Sequence, residues 1–146
     1  MEGGVEGAIQ ILHVEDNEAH AELVRRGFED HRIANEIEHV MTGEEALSRL
    51  KECSKSGSGL PDVVLLDLRL PGIDGLEVLT AIRDMDGLET LPVVILTTSE
   101  AEWDRLKAYE RHMNGYIVKP FDFDSFAVLL DVITLLMRDK KAARTA

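Results

Sequence analysis

The sequence predicts an α/β domain in which one parallel β-sheet is covered by helices on both faces. Strand-like and helix-like segments alternate strictly along the 146 residues, and this alternation is typical of parallel sheets whose strands are joined by helices. Two of the strand-like segments, Val63–Leu66 and Val93–Leu96, contain apolar residues only, which indicates strands buried on both faces. A composition of 45% apolar and 30% charged residues is that of one globular domain.

The first half of the chain predicts two strands and two helices. The mainly apolar run Ile9–Val14 predicts the first strand, and Asn17 can cap a helix that runs to about residue 31. Period-two alternation over Glu36–Val40 predicts an edge strand. The run Thr42–Glu45 fits a capping box and predicts a second helix to about residue 53.

The second half predicts three strands and three helices. After the third strand, Val63–Leu66, the run Asp74–Glu77 begins a helix that ends at about residue 84. The fourth strand, Val93–Leu96, is followed by Ser99–Glu102, which fits a capping box for a helix to about residue 111. The last predicted segments are a fifth strand at Tyr116–Val118, a helix at about 124–137 and a basic tail at 138–146. The domain is thus predicted at 8–137, after an N-terminal extension at 1–7.

Polar residues stand at the carboxyl ends of four predicted strands. They are Glu15 and Asp16, Asp67, Thr97, and Lys119. Taken alone, Asp67 fits equally well as an aspartate that caps the next loop. Because parallel strands end at one edge of the sheet, where ligands bind in open α/β folds, these side chains are expected to converge there. Three carboxylates so close together need a counter-charge, which Mg²⁺ would supply, and Lys119 and Thr97 could then hold a phosphoryl group.

Charge and composition argue against several other classes of function. The net charge of −12 opposes direct binding to nucleic acid, and no apolar run is long enough to span a membrane. The first residues have neither the basic nor the apolar region of an export signal. The single cysteine, Cys53, cannot form an internal disulfide, so we expect a cytoplasmic protein with an inert thiol. The histidines show no zinc-ligand spacing.

Four motifs together make the sequence resemble the receiver domain of two-component response regulators, over about residues 8–137. They are Val14–Asn17, Leu66–Gly75, Leu96–Thr98 and Gly115–Phe121. The resemblance implies a flavodoxin-like, doubly wound sheet of five parallel strands in the order 2-1-3-4-5, with five helices.

The resemblance also implies a role for each residue at the predicted edge. Asp67 would accept a phosphoryl group from a phosphohistidine of a sensor histidine kinase. Mg²⁺ would be held by Glu15, Asp16, Asp67 and the main-chain carbonyl of Arg69. Lys119 and Thr97 would contact the phosphoryl oxygens, and Tyr116 would be the switch residue that turns inward as Thr97 moves.

One departure from the family pattern narrows the resemblance. Where receivers usually carry a Gly-Ala pair before the switch tyrosine, this chain has the run Arg111–Tyr116, with His112 and Asn114 inside it. The fourth helix is then expected to stop at His112 or Asn114, since Asn tolerates the left-handed conformation. This run resembles the stand-alone regulators that are paired with bacterial phytochromes, and the resemblance implies a bacteriophytochrome as the kinase.

Three functions are compared on these residues. The leading one is a single-domain phospho-acceptor that is not a turnover enzyme, although it would slowly hydrolyse its own acyl phosphate. Only about nine residues follow the predicted domain, so its signal is expected to leave by protein contact. An aspartyl-nucleophile phosphatase needs a second acid two residues after its nucleophile, where this chain has Arg69. A degenerate receiver that acts as a phosphorylation-independent adaptor would lack the acidic pair, the acceptor or the lysine, and all of these are present.

The fourth and fifth helices are expected to form a homodimer interface. Three residues widen the apolar arc of the last helix to roughly 220°, more than a surface helix needs; they are Val128, Val132 and Leu135. In the fourth helix Trp103 is expected on the outer side, with Leu106 and Tyr109 turned toward the core. The alternative is that these are scattered surface apolar residues, which are common.

Overall fold

The computed structural model describes residues 7–119 and 122–145. Strands and helices alternate strictly along this part of the chain, as predicted. The strands are β1 (Ile9–Val14), β2 (Asn35–Val40), β3 (Val63–Leu66), β4 (Val93–Thr97) and β5 (Gly115–Val118). The helices are α1 (Glu18–Asp30), α2 (Gly43–Ser56), α3 (Gly75–Asp84), α4 (Glu102–Glu110) and α5 (Phe123–Thr145).

All strand pairs of the sheet are parallel, and the strands lie in the order β2-β1-β3-β4-β5. This confirms the predicted flavodoxin-like, doubly wound fold. Val14, the last residue of β1, pairs with Leu66, the last residue of β3, so the two strands end side by side. The strand order reverses between these two strands, and ligands of doubly wound sheets bind at such a point.

Two apolar cores lie on the two faces of the sheet. Successive side chains of a strand point to opposite faces, so β3 supplies Val64 and Leu66 to one core and Val63 and Leu65 to the other. Helices α2, α3 and α4 close the first core, and α1 and α5 close the second. The apolar residues of β3 and β4 are fully buried, as their uninterrupted runs predict.

Side-chain caps begin three helices where the sequence predicts them. Asn17 at α1 and Thr42 at α2 each accept a backbone N–H from three residues later, at 3.0 and 3.1 Å. At α3, Asp74 and Glu77 form a reciprocal capping box. Because each cap satisfies an otherwise free backbone donor, these positions fix where the helices start.

The capping box predicted for α4 is wrong. The helix begins at Glu102, and its N-cap residue, Ala101, offers no side-chain cap. The Oγ of Ser99 donates instead to Oδ2 of Asp104 at 2.6 Å. Ser99 therefore binds a side chain of the helix, and the backbone N–H that its Oγ accepts (3.3 Å) belongs to Ala101, which precedes the helix.

The inward face of α4 also differs from the prediction. Asp104 and Ala108 are buried, whereas Leu106 and Tyr109, which were expected in the core, are 53% and 72% exposed. Asp104 turns inward because its carboxylate binds groups in the loops after β3 and β4. At 100° per residue, positions two and five residues later lie roughly 200° and 140° away, and so face solvent.

The turn between α4 and β5 contains a left-handed residue at His112, with φ of 63°. This is the first of the two positions at which the helix was expected to stop. The Nη2 of Arg83 in α3 donates to the carbonyl of His112 (2.8 Å) and to Oδ1 of Asn114 (3.0 Å). Asn114 Oδ1 also accepts the N–H of Val93 (2.8 Å), so the turn is bound both to α3 and to β4.

Helix α5 continues to Thr145, whereas the sequence predicts an end at about Met137 and a basic tail beyond it. The stretch 138–145 contains neither Gly nor Pro, and its Arg, Lys and Ala residues favour a helix, so no residue type there stops it. Among the described residues, no helix combines the length and the apolar composition needed to cross a membrane.

Candidate functional site

Residues at the carboxyl ends of β1, β3, β4 and β5 meet at one edge of the sheet. Main-chain bonds extend the strand pairing into this edge: the N–H of Asp67 donates to the carbonyl of Val14 (3.1 Å), and that of Lys119 to Thr97 (2.8 Å). The backbone of Asp67 and of Lys119 is thereby fixed by the sheet itself. The buried members of the predicted site are Glu15, Asp67, Thr97 and Lys119.

Three carboxylates form a cluster at this edge. Glu15, Asp16 and Asp67 each place one oxygen within 4.8 Å of the others. Asp16 is exposed, so the cluster opens to solvent. Carboxylate oxygens with access to water suit a hard divalent cation that keeps several water ligands. The donor set therefore fits Mg²⁺ or an ion of similar chemistry.

The ammonium group of Lys119 faces two of these carboxylates. Its Nζ donates to Oε1 of Glu15 and to Oδ2 of Asp67, the latter at 3.2 Å. It also lies 3.0 Å from Nδ1 of His20 in α1. Because a buried carboxylate without a partner is costly, this pairing is what allows Glu15 and Asp67 to be buried together.

The pKa values of the two buried carboxyl groups move in opposite directions. Burial raises the pKa of Glu15 to about 7, although Lys119 acts against this change. Burial acts in the same sense on Asp67, but the backbone N–H of Arg69 (3.1 Å from Oδ1), the charge of Lys119 and the Thr97 hydroxyl outweigh it and lower the pKa of Asp67. Asp67 is therefore ionised at neutral pH, the form in which a carboxylate acts as a nucleophile.

Ser99 connects Thr97 with Tyr116. The N–H of Ser99 donates to Oγ1 of Thr97 (3.3 Å), and its carbonyl accepts the hydroxyl of Tyr116 (3.0 Å). The guanidinium of Arg105 lies 5.1 Å from the centre of the Tyr116 ring, and burial raises the pKa of the tyrosine hydroxyl. A displacement of Thr97 would therefore be transmitted to Tyr116 through Ser99.

Gly75 allows α3 to begin directly against the loop that follows Asp67. A Cβ at this position would lie 2.3 Å from the main-chain oxygen of Asp67 and 2.6 Å from the Cα of Leu68. Both contacts are with backbone, which has no room to yield. The glycine that ends the Leu66–Gly75 motif is therefore required by the packing of the site.

Three residues at the site were not predicted from the sequence: His20, Ser99 and Asp104. His20 lies in the first turn of α1, directly after the loop that carries Glu15 and Asp16, so its place in the chain gave a usable signal for its contact with the site. Ser99 was interpreted as a helix cap. Asp104 gave no signal, because an acidic residue beside an exposed Trp103 has the pattern of a solvated helix face.

The chain is similar to known proteins over most of its length. Residues 11–131 match the family model described as response regulator receiver domain. The sequence is 46% identical over 114 residues to the probable methanogenesis regulatory protein FilR2 of Methanothrix harundinacea, covering 78% of this chain and 74% of the relative. It is 39% identical over 110 residues to response regulator Rcp1 of Synechocystis, covering 75% of each chain.

Solved structures agree with this similarity. The phosphorylated cyanobacterial phytochrome response regulator RcpA superposes with a TM-score of 0.72 at 32% identity, covering 89% of both chains. The Mn²⁺-bound form of Rcp1 superposes with a TM-score of 0.70 at 35% identity, covering 88% of both. Sequence and fold thus point to the same group of proteins, which includes phytochrome-associated regulators.

Proposed function

The chain belongs to the response regulator receiver domain family of two-component signalling, and we propose that Asp67 is the residue on which it accepts a phosphoryl group from a sensor histidine kinase. Members of this family are phosphorylated by such kinases and act as phospho-acceptors.

The observation that carries the proposal is the position of the Lys119 ammonium between Glu15 and Asp67. An ionised Asp67 beside a fixed cation can approach an incoming phosphoryl group, whose negative oxygens a bare carboxylate cluster would repel. Thr97 adds a hydroxyl donor on the same side of the sheet edge. Lys119 and Thr97 thus have the chemistry to contact the transferred group.

In the proposed reaction a carboxylate oxygen of Asp67 attacks the phosphorus of the phosphohistidine. The new P–O bond forms as the P–N bond breaks, and the bonding electrons pass to the imidazole nitrogen of the kinase, which takes up a proton. The product is an acyl phosphate on Asp67 and a neutral histidine. Positioning and charge stabilisation supply most of the catalysis in such a transfer.

Mg²⁺ is proposed as the divalent cation, held by Glu15, Asp16, Asp67 and the main-chain carbonyl of Arg69. When bound, the cation supplies positive charge to the phosphoryl oxygens. The three clustered carboxylate oxygens support the assignment, as does the similarity to Rcp1, for which a Mn²⁺-bound form is known.

The chain is proposed to be a phospho-acceptor rather than a turnover enzyme. A phosphatase with an aspartyl nucleophile requires an acid two residues later, and Arg69 occupies that position with its guanidinium bound to Asp104 and Ser99. Hydrolysis of the acyl phosphate is then left to water without a positioned acid, and is expected to be slow.

A bacteriophytochrome is proposed as the cognate kinase, and the cytoplasm as the location. The support is the run Arg111–Tyr116 together with the similarity to the phytochrome response regulator RcpA. The signal would leave by protein contact. Tyr116 and Thr97, joined through Ser99, are the proposed switch that carries the change from Asp67 to the surface.

A homodimer is proposed through α4 and α5, which lie on opposite faces of the sheet beside the edge strand β5. On α5, Val128 and Leu135 are 52% and 57% exposed, and on α4 Trp103 is exposed. Val132, also expected in this interface, is half-buried, and its side chain lies 3.0 Å from where a Cβ on Gly115 would be. We therefore place the proposed contact on Val128 and Leu135, and assign Val132 to packing against β5. Trp103, also expected in this interface, lines a cleft with Asp74 and Glu77 beside α3, whereas Arg105 is the α4 residue that lies over Tyr116 of β5.

The proposal is tested by incubating the chain with acetyl phosphate and Mg²⁺ and measuring its intact mass. We expect one added phosphoryl group that is lost in Asp67→Asn. An adaptor that is never phosphorylated would show no added mass, and a phosphatase would instead release inorganic phosphate with turnover. A wild-type chain that gains no phosphoryl group overturns the proposed function.

A further inference from the structure

The buried carboxylate of Asp104 joins the loops that follow β3 and β4. Asp104 is 4% exposed, although its neighbour Trp103 is 60% exposed. Its Oδ2 accepts from Nη2 of Arg69 and from Oγ of Ser99, the latter at 2.6 Å. The same Nη2 of Arg69 lies 3.3 Å from Oγ of Ser99.

Both partners of Asp104 reach the candidate site through their main chain. The N–H of Arg69 donates to Oδ1 of Asp67 (3.1 Å), and the N–H of Ser99 donates to Oγ1 of Thr97 (3.3 Å). The side chains that Asp104 binds therefore belong to the two residues whose backbone orients the acceptor carboxylate and the nearby hydroxyl.

We propose that Asp104 is a positioning residue for phosphoryl transfer to Asp67, an inference that rests on the proposed function of Asp67. By binding the side chain of Arg69, Asp104 fixes the main chain of that residue, which supplies an N–H to Asp67 and the carbonyl assigned to Mg²⁺. A buried carboxylate with two donors holds one geometry. Loss of a group that orients a metal ligand in this way commonly lowers metal affinity or activity by about 10–100-fold.

A purely structural role for Asp104 leads to a different expectation. Asp104 lies in the first turn of α4, where an acidic side chain interacts favourably with the helix N-terminus. If that were its whole role, removing the charge would lower the free energy of unfolding and leave the metal affinity of the folded protein unchanged. Metal affinity therefore separates the two roles.

The experiment compares Asp104→Asn with Glu102→Gln, which removes the same charge from the same helical turn at an exposed position. Binding of Mg²⁺ alone is followed through the fluorescence of Trp103, the single tryptophan of the chain, which lines the same 240 Å³ cleft as Arg69 and Asp104. We expect the Kd for Mg²⁺ to rise about tenfold in Asp104→Asn and to stay unchanged in Glu102→Gln. Equal Kd values for the wild type and Asp104→Asn overturn the proposal.

Arg69→Gln provides a second variant that breaks the same contact at a side chain that is 62% exposed, with folding checked by circular dichroism. If Asp104 acts through Arg69, the Kd of the double variant matches that of the weaker-binding single variant rather than the product of the two effects. If the two single effects on Kd multiply in the double variant, the proposal is overturned. If Asp104→Asn does not fold, an unchanged Kd in Arg69→Gln overturns it. The titration requires no phosphoryl donor, so it tests Asp104 separately from the labelling of Asp67.

Discussion

The Nζ of Lys119 lies 3.2 Å from Oδ2 of Asp67, and both groups are buried. The two residues follow different strands, β5 and β3, with β4 between them. Lys119 crosses that distance because its long side chain reaches back along the sheet edge toward β3 and β1. This contact puts a fixed cation beside Asp67 and helps to lower the pKa of its carboxyl group.

We expect Asp67→Asn to abolish phosphoryl labelling and to leave the fold intact. The amide has nearly the same shape as the carboxylate and can still accept from Arg69, but it is not a nucleophile. Labelling is measured by intact mass after incubation with acetyl phosphate and Mg²⁺, and folding by circular dichroism. The control is Asp86→Asn at an exposed position, which should label as the wild type does. Wild-type labelling of Asp67→Asn would show that the acceptor is another residue.

We expect Lys119→Met to slow labelling strongly and to destabilise the protein by about 3–5 kcal/mol in the absence of a divalent cation, because two buried carboxylates lose their partner. Saturating Mg²⁺ should recover part of this loss, since the cation supplies positive charge to the same cluster. Urea unfolding with Mg²⁺ and with a chelator measures both effects. Lys107→Met removes a lysine from a surface ion pair with Glu110 and should change stability by less than about 1 kcal/mol. A loss as small as this in Lys119→Met would contradict the argument.

Excess chelator is expected to prevent labelling of the wild type. Without the divalent cation, an incoming phosphate meets three carboxylates within 4.8 Å of one another, and the charge of Lys119 does not balance them. The rate of mass gain is compared in Mg²⁺, in chelator, and in chelator followed by excess Mg²⁺. Labelling that proceeds in chelator at the Mg²⁺ rate would refute the role of the cation.

Much of the site could be predicted from the sequence because it depends on strand ends. Once Val63–Leu66 and Val93–Leu96 are identified as central parallel strands, the positions of Asp67 and Thr97 at one edge follow from the topology alone. The same reasoning places Glu15 and Lys119. No side-chain detail is needed for this, since the backbone of each residue is held by the ladder next to it.

The main feature that could not be predicted is which face of the short helix α4 packs against the rest of the domain. The inward face of α4 is set by one carboxylate, Asp104, and its polar partners, not by an apolar stripe. Leu106 and Tyr109 were therefore assigned to the core on hydrophobicity and lie on the surface instead. The end of α5 was misplaced for a related reason, because a charged segment without Gly or Pro is compatible with both a tail and a helix.

Mg²⁺ affinity is expected to depend on pH through Glu15, whose pKa burial raises to about 7. Below that pH the carboxyl group carries a proton that the cation must displace, so affinity falls as pH falls and levels off above the pKa. We expect binding about tenfold weaker at pH 6 than at pH 8, with release of roughly one proton at pH 6. Calorimetry in buffers of different ionisation enthalpy measures both quantities.

Two variants assign this pH dependence to Glu15. Glu15→Gln cannot ionise, so its weaker Mg²⁺ binding should be nearly independent of pH between 6 and 8. His20→Gln removes the imidazole beside Lys119 and should keep the wild-type profile. A profile that is lost in His20→Gln and kept in Glu15→Gln would assign the proton to the histidine.

Replacing His112 by glycine is expected to stabilise the protein by about 0.5–1 kcal/mol. His112 adopts a φ of 63°, a conformation that costs residues with a Cβ roughly 1–2 kcal/mol, and only part of the gain is offset by the greater freedom of glycine when unfolded. Its contact with Arg83 uses the main-chain carbonyl and is retained. Arg111→Gly, one residue earlier at φ of −95°, should be destabilising instead. Urea unfolding compares the two, and a loss of stability in His112→Gly would show that its side chain matters more than its backbone.

The final prediction is that the wild type forms a dimer that Leu135→Asp weakens by at least about tenfold, since a charge at a contact centre costs more than 1.4 kcal/mol. Leu135 and Val128 lie two helical turns apart on the same exposed side of α5. The matched control is Leu23→Asp, an equal change at an exposed leucine of α1. Sedimentation at tens of micromolar, with and without acetyl phosphate and Mg²⁺, gives the association state of each protein. Because Tyr116 follows Gly115 in β5, and Gly115 packs against Val132 of α5, we expect the phosphoryl donor to strengthen the wild-type dimer. A wild type that stays monomeric in both conditions, or a dimer that Leu23→Asp disrupts and Leu135→Asp does not, would rule out α4 and α5 as the interface.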